Sequence, residues 1–450
     1  MNSLSQRPGM KRRILALCLA GIAGTGFCMA EAQATSPFLI QESGFVPVVL
    51  DNQYKPSFTP PPPSFTDYRA RRAPAAQVHI SFNGSSCRGT LAAWPAEAMT
   101  SFQYASDIWA SLVNSTVAIE VAACWRTDLS TSNLGTTSTN LVQDPPNAPV
   151  KNTYYPLSLS NHLAGTRLVP TVPDMIVDIN GNSNWYLGTD GNPGYKVDLV
   201  TVVLHEIAHG LGFIGAFTVS SGSGSLRFPN PAIYDRFTAD GSGTSLLSYP
   251  SPSTALGSVL TGGGIYFTGA AARKANGGLS VKLYAPSTWV SGSSYTHLDE
   301  GFNSTQNAVM TYSIGFGEAI HTPGPVTSGI LTDIGWQLNL TEPPFAPANL
   351  TASGLSSTQV SLTWQDTSTN EDGFRLERTL RSSVSWQLLV SLPAGSASYV
   401  DATAAAGTGY LYRIQAFNQA GSSSYSNLAE AVTTSNINYA YKLYLPSVIR

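Results

Sequence analysis

Residues Asp198 to Phe213 read DLVTVVLHEIAHGLGF, and everything before and after them takes its meaning from this stretch. Val200, Val203, Ile207 and Leu211 recur at helical spacing and form one apolar stripe, which predicts a helix with that stripe turned to a core. Asp198 stands where an N-cap belongs, and Gly210 and Gly212 supply a stop signal. His205, Glu206 and His209 fall on another face. Two imidazoles one helical turn apart can reach a single ion, and a glutamate beside the first is placed to act as a general base, which is the logic of the HExxH zinc pattern. The stretch therefore predicts a helix with its stripe in a core and its metal ligands facing a cleft.

A catalytic zinc takes three protein ligands and keeps one position for water, so a third donor must come from elsewhere. The compact pattern HExxHxxGxxH has its glycine here, Gly212, but Gly215 stands where its last histidine would be. No glutamate occurs between His209 and Asp235, so a glutamate on the next helix is also excluded. His297, His321, Asp235 and Glu300 remain as candidates, since imidazole and carboxylate both bind zinc. His297 lies in Ser294–Glu300, SYTHLDE, thirteen residues before the methionine of Asn307–Tyr312, NAVMTY.

HExxH followed by Gly-Leu-Gly-Phe, a long insertion, a lone histidine and an apolar turn with a methionine resembles the leishmanolysin-like metzincins, over roughly residues 76 to 340. The resemblance implies an α+β metzincin-like catalytic domain and a zinc metalloendopeptidase activity on protein or peptide substrates. It further implies His205, His209 and His297 as zinc ligands, Glu206 as the general base and Met310 as the apolar floor beneath the metal. Tyr312, two residues after Met310, is similar to the Met-turn tyrosine of astacins and serralysins, which implies a catalytic phenol that binds the metal at rest and then donates to the oxyanion. The alternative is an extracellular binding or adhesion protein that retains the scaffold without turnover.

At the N-terminus, Lys11-Arg12-Arg13 precede an apolar run from Ile14 to Ala30, and Ala32-Gln33-Ala34 offers a cleavage site. Residues 1–34 thus read as a signal peptide, and the protein as secreted and extracellular. Cys18 and Cys28 leave with it. Cys87 and Cys124 remain, and an even pair in an oxidising compartment predicts one disulfide. Loss of the signal removes four of 24 cations and one of 27 anions, leaving 20 against 26 and a net charge of −6. That balance argues against nucleic acid as a partner. Charged residues make up 11% of the chain against roughly 25% ordinarily, a composition that suits an extracellular surface carried by Ser, Thr, Asn and Gly. No later stretch has the ~18 continuous apolar residues of a membrane span.

Residues 35–75 are proline-rich, include Pro60 to Pro63 and end in Arg69-Ala70-Arg71-Arg72. They read as a linker or a propeptide with no packed core of their own. They contain no cysteine to cover a metal, though Asp51 or Asp67 could do so. From residue 76 a strand over 78–82, a helix over 96–113 and a strand over 117–123 predict a βαβ opening, with another β-rich run over 174–179. Asp178-x-Asn180-x-Asn182 is loosely similar to a calcium loop without its glycine and terminal glutamate, so calcium is a second candidate cofactor. His79 and His162 read as structural. The Gly/Ser-rich insertion between Phe213 and His297 is expected to border the cleft. Pro325–Trp336 reads as the last helix of the domain, with Asp333 available to nearby backbone.

Pro343–Pro347 is a linker, after which strand-like runs over 360–364, 374–378, 386–392 and 410–418 alternate with turns. This resembles a fibronectin type III domain over residues 345–434. The resemblance implies an all-β sandwich with Trp364 in its core, Tyr410 or Tyr412 as the tyrosine corner, and an extracellular-matrix or cell-surface ligand. The tail 435–450 is apolar and aromatic but too short to span a membrane.

Overall fold

The computed structural model describes residues 39–62, 65, 76–338 and 343–435, apart from 369, 372, 384, 419 and 420. The signal peptide, Asp67, the Arg69–Arg72 cluster and residues 436–450 lie outside these. In chain order the first part contains β1 (Ile40–Glu42), β2 (Val46–Thr59), β3 (Val78–Phe82), α1 (Ala96–Leu112), β4 (Ile119–Arg126), β5 (Asn133–Gln143), β6 (Tyr154–Pro156), α2 (Leu157–Ala164), β7 (Met175–Asn180), α3 (Leu199–Leu211), β8 (Ser313–Ile320) and α4 (Gly324–Ile334), with short elements between α3 and β8.

The expected βαβ unit is present: β3 and β4 pair in parallel, Val78 opposite Ile119, with α1 between them in sequence. β7 adds in parallel on the other side of β4, and β5 then pairs antiparallel to β7. The full order is β8-β2-β5-β7-β4-β3, with β1 and β6 also on β5. β4 reads IEVAACWR and is buried along most of its length, as expected of a strand flanked by parallel neighbours. Cys87 and Cys124 form the predicted disulfide, with Cα atoms 5.6 Å apart, and tie the loop after β3 to β4.

Helix α3 begins Leu-Val-Thr-Val-Val, a sequence rich in β-branched residues that lose χ1 freedom in a helix. Burial holds it instead, since every residue from Leu199 to Leu211 is buried. Its N-cap is Asp198, whose carboxylate accepts the Thr201 N–H at 2.8 Å. Trp109 of α1 donates its indole N–H to the Leu204 carbonyl at 3.0 Å, and Trp336 donates to the carbonyl of Leu211 at 2.7 Å. Gly210 lets the helix lie close to β7, because a Cβ there would overlap Met175. Gly212 ends the helix at φ +129°, a conformation that favours glycine.

Residues 35–75 depart from the sequence expectation. Ile40–Glu42 and Val46–Thr59 are strands of the sheet, with Val46 and Val48 buried in it. The prolines did not preclude this. The segment alternates buried and half-buried positions only at its start, Val46 to Val49.

The C-terminal part is a β-sandwich. β9 (Ala348–Gly354), β10 (Val360–Gln365) and β13 (Ser398–Asp401) form one sheet, while β11 (Gly373–Leu380), β12 (Gln387–Pro393), β14 (Gly409–Asn418) and β15 (Ala429–Val432) form the other. Leu362, Trp364, Phe374, Leu376, Tyr412 and Ile414 make the core, as expected for Trp364. Tyr410 takes the corner role: its hydroxyl accepts the Ala405 N–H at 3.0 Å, five residues upstream. Tyr412 donates instead to Asp401 at 3.0 Å. Lys274 reaches across to Glu371 of the sandwich at 2.8 Å. No helix among the described residues is long and apolar enough to cross a membrane.

Candidate metal centre

The helical turn between His205 and His209 places both imidazoles on one side of α3, and a third comes from His297 in the loop before the turn Ala308–Met310. Nε2 of His205 lies 3.0 Å from Nε2 of His209 and 3.1 Å from Nε2 of His297. Each opposite nitrogen is committed to a backbone carbonyl: His205 Nδ1 donates to Val309 at 2.6 Å, His209 Nδ1 to Phe213 at 2.7 Å and His297 Nδ1 to Ser293 at 2.9 Å. With the protons held on Nδ1, three Nε2 lone pairs face one another, which is repulsive unless a cation stands between them. Tetrahedral Zn–N bonds of about 2.0–2.1 Å set ligand nitrogens about 3.3 Å apart, so the spacing fits zinc. Burial holds all three rings below the usual imidazole range, His297 to about 4, so they are neutral and ready to ligate. Among the described residues this is the one cluster of three or more metal-ligating side chains close enough to share an ion.

The rival donors are engaged elsewhere. His321 Nε2 sits 2.9 Å from the Asp198 carboxylate at the far end of α3. Asp235 accepts N–H groups from Ala216 at 3.1 Å and Ala232 at 2.8 Å, and the Tyr295 hydroxyl at 2.9 Å. Glu300 bonds Asn303. Asp51 pairs with Lys55 at 2.6 Å, and so does not cover the histidines. A Cβ at Gly215 would overlap the Tyr295 phenol. The space a side chain at 215 would need is thus filled by the loop that brings in His297.

The loosely calcium-like run does other work. Asp178 pairs with Arg126 at 2.8 Å, and the Asn180 side chain donates to the carbonyls of Ser130 and Asn133 at 2.9 and 2.7 Å. His79 pairs with Glu120 on the surface, and His162 stacks on Trp336.

Glu206 is fully buried, and burial pushes its carboxyl well above the usual range. The Thr137 side chain and the Val48 backbone N–H approach and pull the other way, but neither carboxylate oxygen closes a hydrogen bond of full geometry. Gly135 of β5 leaves Glu206 its room, since a Cβ there would lie 3.1 Å from Glu206 Oε1. Met310 is buried in the turn next to Val309, and its carbonyl accepts the Leu298 N–H at 2.8 Å, one residue after His297. Tyr312 lies with its ring perpendicular to His297, centroids 6.1 Å apart. Its other face stacks on Tyr284 at 4.4 Å and 6°.

Tyr284 was invisible to sequence reasoning. Its N–H donates to the His297 carbonyl at 2.9 Å and its carbonyl accepts from Tyr295 at 2.6 Å, so one residue braces both the third histidine and Tyr312. The carbonyls of Val309, Phe213 and Ser293 were equally hidden, because backbone partners leave no residue-type signal. The expected cleft is also missing: His205, Glu206, His209 and His297 are each 0% exposed.

A family model described as SPBPB7E8-like matches residues 147–237, which include α3, and a fibronectin type III model matches residues 345–432. The C-terminal sandwich is therefore a fibronectin type III domain. No curated protein matches the chain. Among solved structures, domains A168-A170 from titin are 21% identical over 21% of this chain and 33% of that one, with a TM-score of 0.19. Chicken CNTN1 FN1-FN3 domains are 22% identical over 21% and 32%, with a TM-score of 0.20. An Fn3-like protein from Clostridium thermocellum is 22% identical over 21% and 98%, with a TM-score of 0.19. The chain thus spans about a third of the titin and CNTN1 fragments.

Proposed function

We propose that residues 76–338 carry a secreted zinc-dependent endopeptidase of metzincin type, joined to a fibronectin type III domain that binds an extracellular-matrix or cell-surface ligand. The carrying observation is the convergence of three neutral imidazoles, with ligand atoms within 4.8 Å of one another, beside a buried carboxylate. His205, His209 and His297 hold the ion. A zinc ion bound there supplies a Lewis acid and brings the pKa of water down to about 7.

Glu206 takes the proton of the attacking water as the carbon–oxygen bond forms, then delivers it to the leaving amide nitrogen as the carbon–nitrogen bond breaks. Its buried, under-bonded carboxylate suits a group that must gain and lose a proton in one cycle. Tyr312 aims a phenol from the Met-turn toward the developing oxyanion, with Tyr284 limiting its swing. Met310 walls the floor. Asp178 and Asn180 are spent on structure, so calcium has no part in this reading.

The test is hydrolysis of an unstructured protein such as casein, with and without chelator and with zinc restored, alongside metal analysis. The expected result is about one zinc per chain and chelator-sensitive cleavage. Protein that takes up no zinc ends the enzyme reading. Zinc uptake without turnover favours the binding or adhesion protein, for which the fibronectin type III domain is the supporting observation.

A further inference from the structure

His297 stands on a short run of backbone whose neighbour leads away from the metal centre. Leu298 is bridged antiparallel to Leu283, the Tyr284 N–H donates to the His297 carbonyl at 2.9 Å, and the Asp299 N–H donates to the Lys282 carbonyl at 3.1 Å. Val281–Lys282 is in turn the second strand of a hairpin whose first strand is Ile265–Phe267, and the Leu283 N–H donates to the Ile265 carbonyl at 2.9 Å. Between these two strands the chain forms the helix Ala270–Ala275. The backbone that presents His297 therefore leans, through two ladders, on a hairpin that carries a helix at its end.

That helix is gripped twice. Within its own domain, the two carboxylate oxygens of Asp333 on α4 accept the N–H groups of Ala271 and Ala272, each at 2.9 Å. Gly329 of α4 brings the helices into contact, since a Cβ there would lie 2.7 Å from the Ala272 Cα. In the fibronectin type III domain, Glu371 accepts the Lys274 ammonium at 2.8 Å, and Asp366 lies 3.6 Å from the same nitrogen. Gln365 packs against Gly277, just beyond the helix.

Domains joined by a short linker ordinarily move against one another. Buried charge opposes that here. The Glu371 side chain is wholly buried, and neither its Oε2 nor Asp366 Oδ2 closes a hydrogen bond. Neighbouring carboxylates in a site of low dielectric repel, and Lys274 brings them a positive charge from the other domain. Separation of the domains would take that ammonium from both carboxylates.

We propose that the fibronectin type III domain is a strut for the metal centre: docked through Lys274, it steadies the hairpin 265–284 and so fixes the backbone that presents His297. Lys274 is a positioning residue, since it touches neither the histidines nor Glu206. This rests on the metal-centre part of the endopeptidase reading.

The test uses the full chain as wild type, Lys274→Met and Lys274→Arg. Zinc affinity is measured by competition against a chromophoric chelator, and amide hydrogen exchange is followed with and without zinc. A coupling of ordinary size predicts that Lys274→Met binds zinc about 5- to 150-fold more weakly, with Lys274→Arg within about three-fold of wild type. The amides of Leu283, Tyr284 and Leu298 should exchange faster in Lys274→Met while those of β4 keep their rates. Because coupling is reciprocal, zinc should also slow exchange around Gly395, whose N–H Glu371 accepts at 3.1 Å, in the wild type and not in Lys274→Met.

Unchanged zinc affinity and unchanged exchange at 283–298 in Lys274→Met would overturn the strut and leave the endopeptidase reading standing. Faster exchange in β4 to the same degree would reduce the lysine to general stability and end the proposal. A chain that takes up no zinc, yet loses protection at 283–298 in Lys274→Met, would keep the strut and remove the metal centre. Should Lys274→Met fail to fold, the wild type decides: no effect of zinc on exchange around Gly395 overturns the coupling.

Discussion

Replacing His297 by alanine separates the third ligand from its rival, His321, and the size of the effect follows from the geometry. Zinc sites with four ligands are worth about 10–16 kcal/mol, or about 2.5–4 kcal/mol per ligand, so losing one imidazole should weaken binding roughly 10²–10³-fold. The readout is the zinc-induced change in melting temperature, which is insensitive to whatever packing the substitution itself disturbs. At free zinc 100-fold above Kd the wild type gains about 2.7 kcal/mol, whereas a variant bound 100-fold more weakly gains about 0.4 kcal/mol at the same concentration. At 2–4 °C per kcal/mol for a domain of this size, that is a shift of about 5–11 °C against about 1–2 °C.

His321→Ala is the contrast. It takes from the buried Asp198 carboxylate one hydrogen-bond donor while Thr201 keeps two in place, so it should cost about 1–3 kcal/mol of stability yet keep the full zinc-induced shift. Competition against a chromophoric chelator gives the same Kd ratio directly. A His297→Ala protein that keeps its zinc affinity within about three-fold, or a His321→Ala protein that loses it, would refute the assignment.

Glu206→Gln should keep about one zinc per chain while kcat falls about 10²–10⁴-fold; substantial residual cleavage would strike Glu206 from the mechanism. Tyr312→Phe should lower kcat roughly 10²-fold with KM nearly unchanged and zinc content intact, and a kcat near that of wild type would leave the Tyr284–Tyr312 stack a purely structural wall. Replacing Cys87 and Cys124 together by serine opens a cross-link between residues 37 apart, which the chain-entropy account places at about 4 kcal/mol. A melting temperature within 2 °C or so of wild type would show that the unfolded chain is not the state the disulfide restrains.

Local patterns made much of the protein legible in the sequence. The i, i+4 spacing of His205 and His209 follows from helix geometry alone, as do the Asp198 cap and the Gly212 stop, and all stand in the structure. The disulfide followed from there being two cysteines left to pair. The alternation of short strands announced the fibronectin type III domain. These features depend on residues close in the chain, or on residue types too few to pair otherwise.

Tertiary structure decided the rest, because it depends on which distant backbone lies beside which side chain. His297 is separated from His321 and Asp235 only by where the 290s loop is carried, with Tyr295 filling the space at Gly215 and Tyr284 bracing the histidine's backbone. The three carbonyls that orient the imidazoles have no signature in residue type. Proline-rich composition said that residues 35–75 could not build a core of their own. It could not say that a ready-made sheet edge would take up Val46–Thr59, since the hydrogen-bonding partners that make this segment a strand belong to β5 and β8, far along the chain.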